Sequence, residues 1–282
     1  MIHYVLDAFS SELTRRALLG GLLAATTTSL IGTWVVVRGL AFFGEALAHG
    51  VLPGIALAAI WGLDLTLGAI ASAVVMVAGI NLVNRTTRLP EDTGIGLLFI
   101  GMLAVGVVII SREDTYAGDL TAFLFGDVLA VRNGELWLEA VVLLATLVGV
   151  VVGHRAFLAL ACGRDKAAAL GLRPGLAHAA MLALLALAVV SSFRAVGTLL
   201  VFGLLVAPPA AAALIARRLP TIMATAVVLG WLSVIVGLTI SYHADTAASA
   251  SVAGTAVVVF FVVLAVSELW RAVRRPQLAG GG

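Results

Sequence analysis

Charge is scarce in this chain. Only 11% of its 282 residues are Asp, Glu, Lys or Arg, where a soluble domain carries about 25%. Hydrophobic residues make up 62%, and mean hydropathy is +1.14. A soluble globule of this size has no interior large enough for so much apolar surface, which excludes soluble, disordered and fibrous classes. Cysteine is nearly absent. Cys162 stands alone, which rules out an intrachain disulfide and a cysteine-built metal site. Lys166 is the one lysine among 17 basic residues. A net charge of +2 offers little to nucleic acid, whose phosphates are held by clustered positive charge. No charged-then-apolar leader opens the chain. The G-x-x-x-x-G-K-[ST] loop, H-E-x-x-H and the Ser- or Cys-centred nucleophile motifs are missing, so the chain does not bind ATP through a P-loop.

What it has is long apolar runs. A spanning helix takes about 20 apolar residues. The runs predict spans over 17–37, 40–61, 65–84, 94–111, 135–153, 174–193, 196–216, 220–241 and 252–270. The fold class is therefore all-α, a polytopic transmembrane bundle of about eight or nine helices. It forms one domain over 1–282, with 1–16 as an interfacial segment and 272–282 as a cytoplasmic tail. Residues 112–134 break the pattern. Their apolar part, Leu120 to Val131, is too short to span and predicts an outer segment partly inserted in the membrane. With the C-terminus inside, 12 of the 17 basic residues fall on the cytoplasmic side, as the positive-inside rule requires. The outer side then carries Asp64, Glu113, Asp114, Asp119, Asp127 and Asp245. Such a surface is either ordinary solvated loop or a means of concentrating cations.

The densest chemistry lies in FFGEALAHGVLPG, Phe42 to Gly54. Glu45 and His49 are four residues apart and share a helix face. His49 lies 11 residues beyond Arg38, roughly 16 Å at the rise of a helix, near mid-membrane. A carboxylate there costs about 2.5–3.5 kcal/mol on insertion scales. The pair is either a structural hydrogen bond or part of a divalent-metal site. Two ligands on one helix do not close a tetrahedral shell, which suits an ion that must leave again. Pro53 and Gly54 favour a kink or a close crossing. Pro208 and Pro209 remove two backbone donors and predict a kinked helix or a gate. In ACGRDKAAALGLRPG, Asp165 to Leu170 reads as a short helix stopped by Gly171. His243 and Asp245, in SYHAD, are placed to meet an incoming cation. His3, His154 and His178 stand near segment ends, where interfacial or packing roles are expected. A proton-coupled secondary transporter with Glu45 as carrier and a polytopic membrane enzyme remain open on these residues.

The run FFGEALAHGVLPG, DLTAFLFGDVLAV, GRDKAAALG and GTLLVFGLLVAPPAAAALIARRL, in that order, resembles the permease subunits of zinc/manganese/iron ABC transporters over nearly the whole chain. The resemblance implies an importer subunit in a bacterial plasma (inner) membrane, with the C-terminus cytoplasmic. It implies a homodimer or a pair of related permeases, two cytoplasmic ABC ATPase subunits that use the ATP, and an extracytoplasmic metal-binding protein. No permanent cofactor is implied, only a transported divalent metal, zinc first, with manganese or iron as alternatives. The family's Asp-x-x-x-His corresponds to Glu45 and His49, with Glu in place of Asp. Its Phe-Gly-Asp falls on Phe125, Gly126 and Asp127, with Asp119 at the acidic position before it. Its coupling helix falls on Asp165 to Gly171, including Lys166 and Ala168. Its Pro-Ala-Ala helix matches Pro208 or Pro209. Ser241, Tyr242 and Asp245 match its late acidic motif, but the Pro-x-Gly that follows in the family is missing.

Overall fold

The computed structural model describes residues 11–87, 89–111 and 131–274. Every element among them is an α-helix. The order is α1 (Glu12–Arg38), α2 (Ala41–Gly50), α3 (Leu52–Ile60), α4 (Leu65–Thr86), α5 (Glu91–Ile110), α6 (Asn133–Ala161), α7 (Arg164–Ala169), α8 (Pro174–Val196), α9 (Thr198–Ile215), α10 (Leu219–Ala244) and α11 (Ala248–Arg274). Nine stretches of the described residues are long and apolar enough to cross a membrane, with α2 and α3 together forming one of them. The spans α1, α2–α3 and α8 are mostly buried, while α5, α6 and α11 turn most of their length outward. Trp34, Phe43, Phe157, Met181, Leu182 and Leu185 are fully enclosed at the centre.

Local chemistry sets the ends. Ser11 caps α1 by accepting from Thr14 N–H at 3.2 Å, which supplies one of the orphan donors of the first turn. Residues 12–16, assigned from sequence to an interfacial segment, thus form the first turn of the span; residues 1–10 lie outside the described ones. Gly39 ends α1 in a left-handed conformation at φ 71, and Asp64 caps α4 by accepting from Thr66 N–H at 2.7 Å. The sixth helix is longer than its apolar window predicts. Instead of stopping at 153 it runs to Ala161. HRAFLALA contains no helix breaker, His154 packs edge-on against Trp34 with ring centres 5.6 Å apart, and Phe157 does the same at 5.5 Å. The expected inserted segment over 112–134 falls largely on 112–130, outside the described residues. The tail from 275 onward also lies outside them.

Prolines and small residues shape the interior. The predicted span 40–61 is split at Val51 into α2 and α3. Pro53 has no N–H to offer the His49 carbonyl, and its ring crowds that carbonyl. Beyond the break, α3 presses on α4: a Cβ on Gly54 would stand 2.0 Å from the Gly68 carbonyl oxygen, so only glycine fits this crossing. Pro208 and Pro209 sit inside α9 without interrupting it. They withhold N–H groups from the carbonyls of Leu204 and Leu205. Gly32 of α1 approaches that site so closely that a Cβ would come within 2.1 Å of the Leu205 oxygen.

Candidate metal site

Helix α2 has two faces. Phe43, Gly44, Ala46, Leu47, Ala48 and Gly50 are buried. Gly44 lies against Leu205 and Gly50 against Met76, each too close for a side chain of its own. Phe42, Glu45 and His49 take the opposite face, as positions three and four apart on a helix must. Nε2 of His49 lies 3.0 Å from Oε1 of Glu45. The two side chains remain 31% and 37% exposed respectively. Phe99 of α5 stands beside the imidazole, with ring centres 5.9 Å apart, and Phe42 meets Phe99 edge-on at 5.7 Å. The pair is therefore open on one side and walled by aromatic rings on the other. An ionised carboxylate only accepts, so it orients the imidazole with Nε2–H toward Glu45 and Nδ1 outward.

No three His, Cys, Asp or Glu side chains among the described residues are grouped so as to hold a metal. Of the predicted site residues that are described, Glu45 and His49 come together. His243 and Asp245 do not join them. Nδ1 of His243 lies 2.9 Å from the Thr239 carbonyl, and Asp245 ends α10 in a left-handed conformation at φ 49. Both are exposed. Asp119 and Asp127 fall outside the described residues. Asp165, Lys166 and Ala168 lie on or at α7, and Gly171 follows it at φ 70. Pro53 stands in the first turn of α3, four residues past His49. Pro208 and Pro209 are buried in α9.

Two charged positions escape the sequence. Glu139 of α6 is fully buried, with Oε1 accepting from Ser192 Oγ at 2.8 Å. It stands near the start of a run (NGELWLEAVV) where an acid reads as a solvated helix end. Glu91 opens α5 and meets both Arg38, at 3.4 Å, and His178, at 3.2 Å. Its neighbours lie 53 and 87 residues away, and no local spacing announces them. His178, expected to pack, is buried beside Glu91 and Arg38.

The comparisons agree with this architecture. The chain is 32% identical over 248 residues to the manganese transport system membrane protein MntC of Listeria innocua, covering 88% of each chain. It is 31% identical over 241 residues to the chelated iron transport system membrane protein YfeD of Yersinia pestis, covering 86% of this chain and 81% of that one. The solved structure of PsaBC from Streptococcus pneumoniae in complex with Fab superposes with a TM-score of 0.81 at 28% identity, covering 93% of this chain and 95% of that one. A model of the ABC 3 transport family matches residues 10–267, from the head of α1 to near the end of α11, and the chain belongs to that family.

Proposed function

We propose that this membrane permease of an ABC metal importer passes a divalent cation through a site made by Glu45 and His49 of two copies of the chain. The observation that carries the proposal is the half-open Glu45–His49 pair, 3.0 Å apart on α2. Metal–ligand bonds of about 2.1 Å set at right angles bring two ligand atoms to about 3.0 Å from each other, so both groups reach one ion with little rearrangement. One chain supplies two ligands, and a carboxylate facing lipid costs about 2.5–3.5 kcal/mol on insertion scales. A second copy against the Phe42–Glu45–His49 face removes that cost and makes a four-ligand shell of two carboxylates and two imidazoles.

Manganese is the proposed cargo, with iron next. Relatives are named for manganese and chelated iron, and zinc, favoured from the sequence, has no such support. Carboxylate suits manganese and imidazole suits iron or zinc, so the mixed set discriminates by geometry rather than by ligand type. Hydrolysis of ATP belongs to separate cytoplasmic subunits, which α7 meets through Asp165, Lys166 and Ala168. A metal-binding protein delivers the ion on the opposite side, where Asp119, Asp127, His243 and Asp245 are its candidate contacts. The C-terminus and α7 face the cytoplasm of a bacterial cell. Pro208 and Pro209, beside Gly32, mark the helix contact most suited to gating.

Uptake in proteoliposomes holding the chain with its ATPase and metal-binding protein tests this directly. Radiolabelled manganese, iron and zinc are compared with and without ATP. ATP-dependent manganese uptake that disappears in His49→Ala supports class, site and cargo together. Uptake that needs no ATP and follows a proton gradient makes Glu45 a proton carrier and ends the proposal. ATP-dependent uptake of zinc alone overturns the cargo and leaves the site.

A further inference from the structure

At the α7 end of the bundle the chain holds a second carboxylate–imidazole pair. Oε1 of Glu91 lies 3.2 Å from Nε2 of His178. Here Arg38 closes the arrangement. Its Nη1 donates to Nδ1 of His178 at 3.0 Å, and its Nη2 donates to Oε2 of Glu91 at 3.4 Å. Arginine has no acceptor, so Nδ1 of His178 accepts from Arg38, and the approach of Nε2 to Oε1 of Glu91 is a close contact rather than an aligned hydrogen bond. His178 is only 2% and Arg38 only 8% exposed, with Glu91 at 22%, and the Arg38 charge beside both groups disfavours a second cation there.

Each member stands at a mechanical junction. Arg38 is the last residue of α1, and the Gly39 turn behind it is fixed by Leu40 N–H on the Val35 carbonyl at 2.8 Å. Helix α2, with Glu45 and His49, starts two residues later. Glu91 is the first residue of α5, the helix whose Phe99 flanks His49. His178 lies in the opening turns of α8. Helix α7 is tied to α8 by a short, closed turn: Gly171 N–H on the Ala168 carbonyl at 2.9 Å and Leu172 N–H on Ala167 at 3.1 Å. The two bonds satisfy carbonyls that the end of α7 would otherwise leave open. One buried cluster thus joins the arm that carries α7 to both helices that frame the metal pair.

We infer that Arg38, Glu91 and His178 form a clasp that transmits movement of α7 to Glu45 and His49. They are positioning residues and do not hold the ion. The inference rests on α7 being the ATPase contact. Coupling is carried by packed, hydrogen-bonded elements with two discrete arrangements, and a closed ion cluster between three helix ends is suited to that role.

The test uses the whole complex in proteoliposomes and reads manganese moved per ATP hydrolysed, together with assembly of the complex. His178→Leu removes both ring hydrogen-bonding positions. The expected result is an assembled complex that still hydrolyses ATP but moves at least about fivefold less metal per ATP. His178→Gln restores an acceptor toward Arg38 and a donor toward Glu91, and is expected to stay within about twofold of the parent. An unchanged ratio in His178→Leu overturns the clasp. So does a Gln variant as defective as the Leu variant, because the imidazole itself is then needed. Should His178→Leu fail to assemble, Glu91→Ala removes a different partner and is expected to show the same loss; if it too fails to assemble, the cluster is only a folding element and the inference falls. Replacing α7 with a Gly-Ser segment of equal length is the separate control. If that leaves the ratio intact, the ATPase contact is misplaced, whereas failure of the His178 variants with a sensitive α7 condemns the clasp alone.

Discussion

Two Glu–His pairs in one protomer have nearly the same contact distance, 3.0 Å for Glu45–His49 and 3.2 Å for Glu91–His178. Their chemistry differs because of their neighbours. Beside His49 stand Phe99 and open space. An aromatic wall takes no lone pair from the imidazole. Beside His178 stands Arg38, which takes the remaining lone pair and brings its own positive charge. Composition alone does not make a metal site. On the proposed site, whether the last ring nitrogen is already engaged separates a port for cations from a contact between helices.

The largest expected effect breaks the open pair. His49→Ala or Glu45→Ala should lower ATP-dependent manganese uptake by more than about 100-fold, beyond the tenfold to 100-fold loss typical of removing a supporting partner. The ATPase should still co-purify. Matched loss of co-purification would assign the pair to assembly instead. Stability separates the two pairs next. Glu91→Gln leaves the Arg38 charge buried without its counter-ion and should cost about 3 kcal/mol, read as thermal unfolding in detergent. Glu45→Gln, in a part-exposed pair, should change stability by no more than about 0.5 kcal/mol. Equal shifts would erase the distinction. Glu45→Asp shortens one ligand and should change the manganese-to-zinc uptake ratio by roughly fivefold while keeping transport, because geometry sets selectivity in a mixed site. The smallest effect sharpens the role of the wall. Phe99→Leu removes an aromatic contact worth about 0.7 kcal/mol and should weaken apparent manganese affinity about threefold, measured as the concentration for half-maximal uptake.

Much of this fold is legible in the sequence, because a membrane span imposes a length and a composition that few other structures share. The helices α4, α8, α9 and α10 begin and end within a few residues of their predicted limits. The stretch HRAFLALA is harder to read, since its polar start hides a helix that continues by packing on Trp34. The pair on α2 is readable because its spacing is local. Glu91 is not, because its partners arrive from α1 and α8 and only the folded bundle brings them together. Glu139 is hidden for a related reason: an acid near a helix start looks solvated until Ser192 appears 2.8 Å away across the α6–α8 contact.

The break at Val51 has an electrostatic meaning. A helix running unbroken across the membrane puts the negative end of its dipole at the far surface. Because α2 stops at Gly50, its aligned peptide groups end one residue past His49. The half-charge at the α2 C-terminus meets the opposite half-charge of α3, which starts at Leu52, so the two largely offset, and what remains is local: Pro53 withholds a backbone donor from the carbonyl of His49. Interrupted helices in other transporters present such freed carbonyls to cations. The break therefore leaves a short-range dipole at His49 rather than a field reaching across the membrane, since the effect of a helix end fades within about one turn.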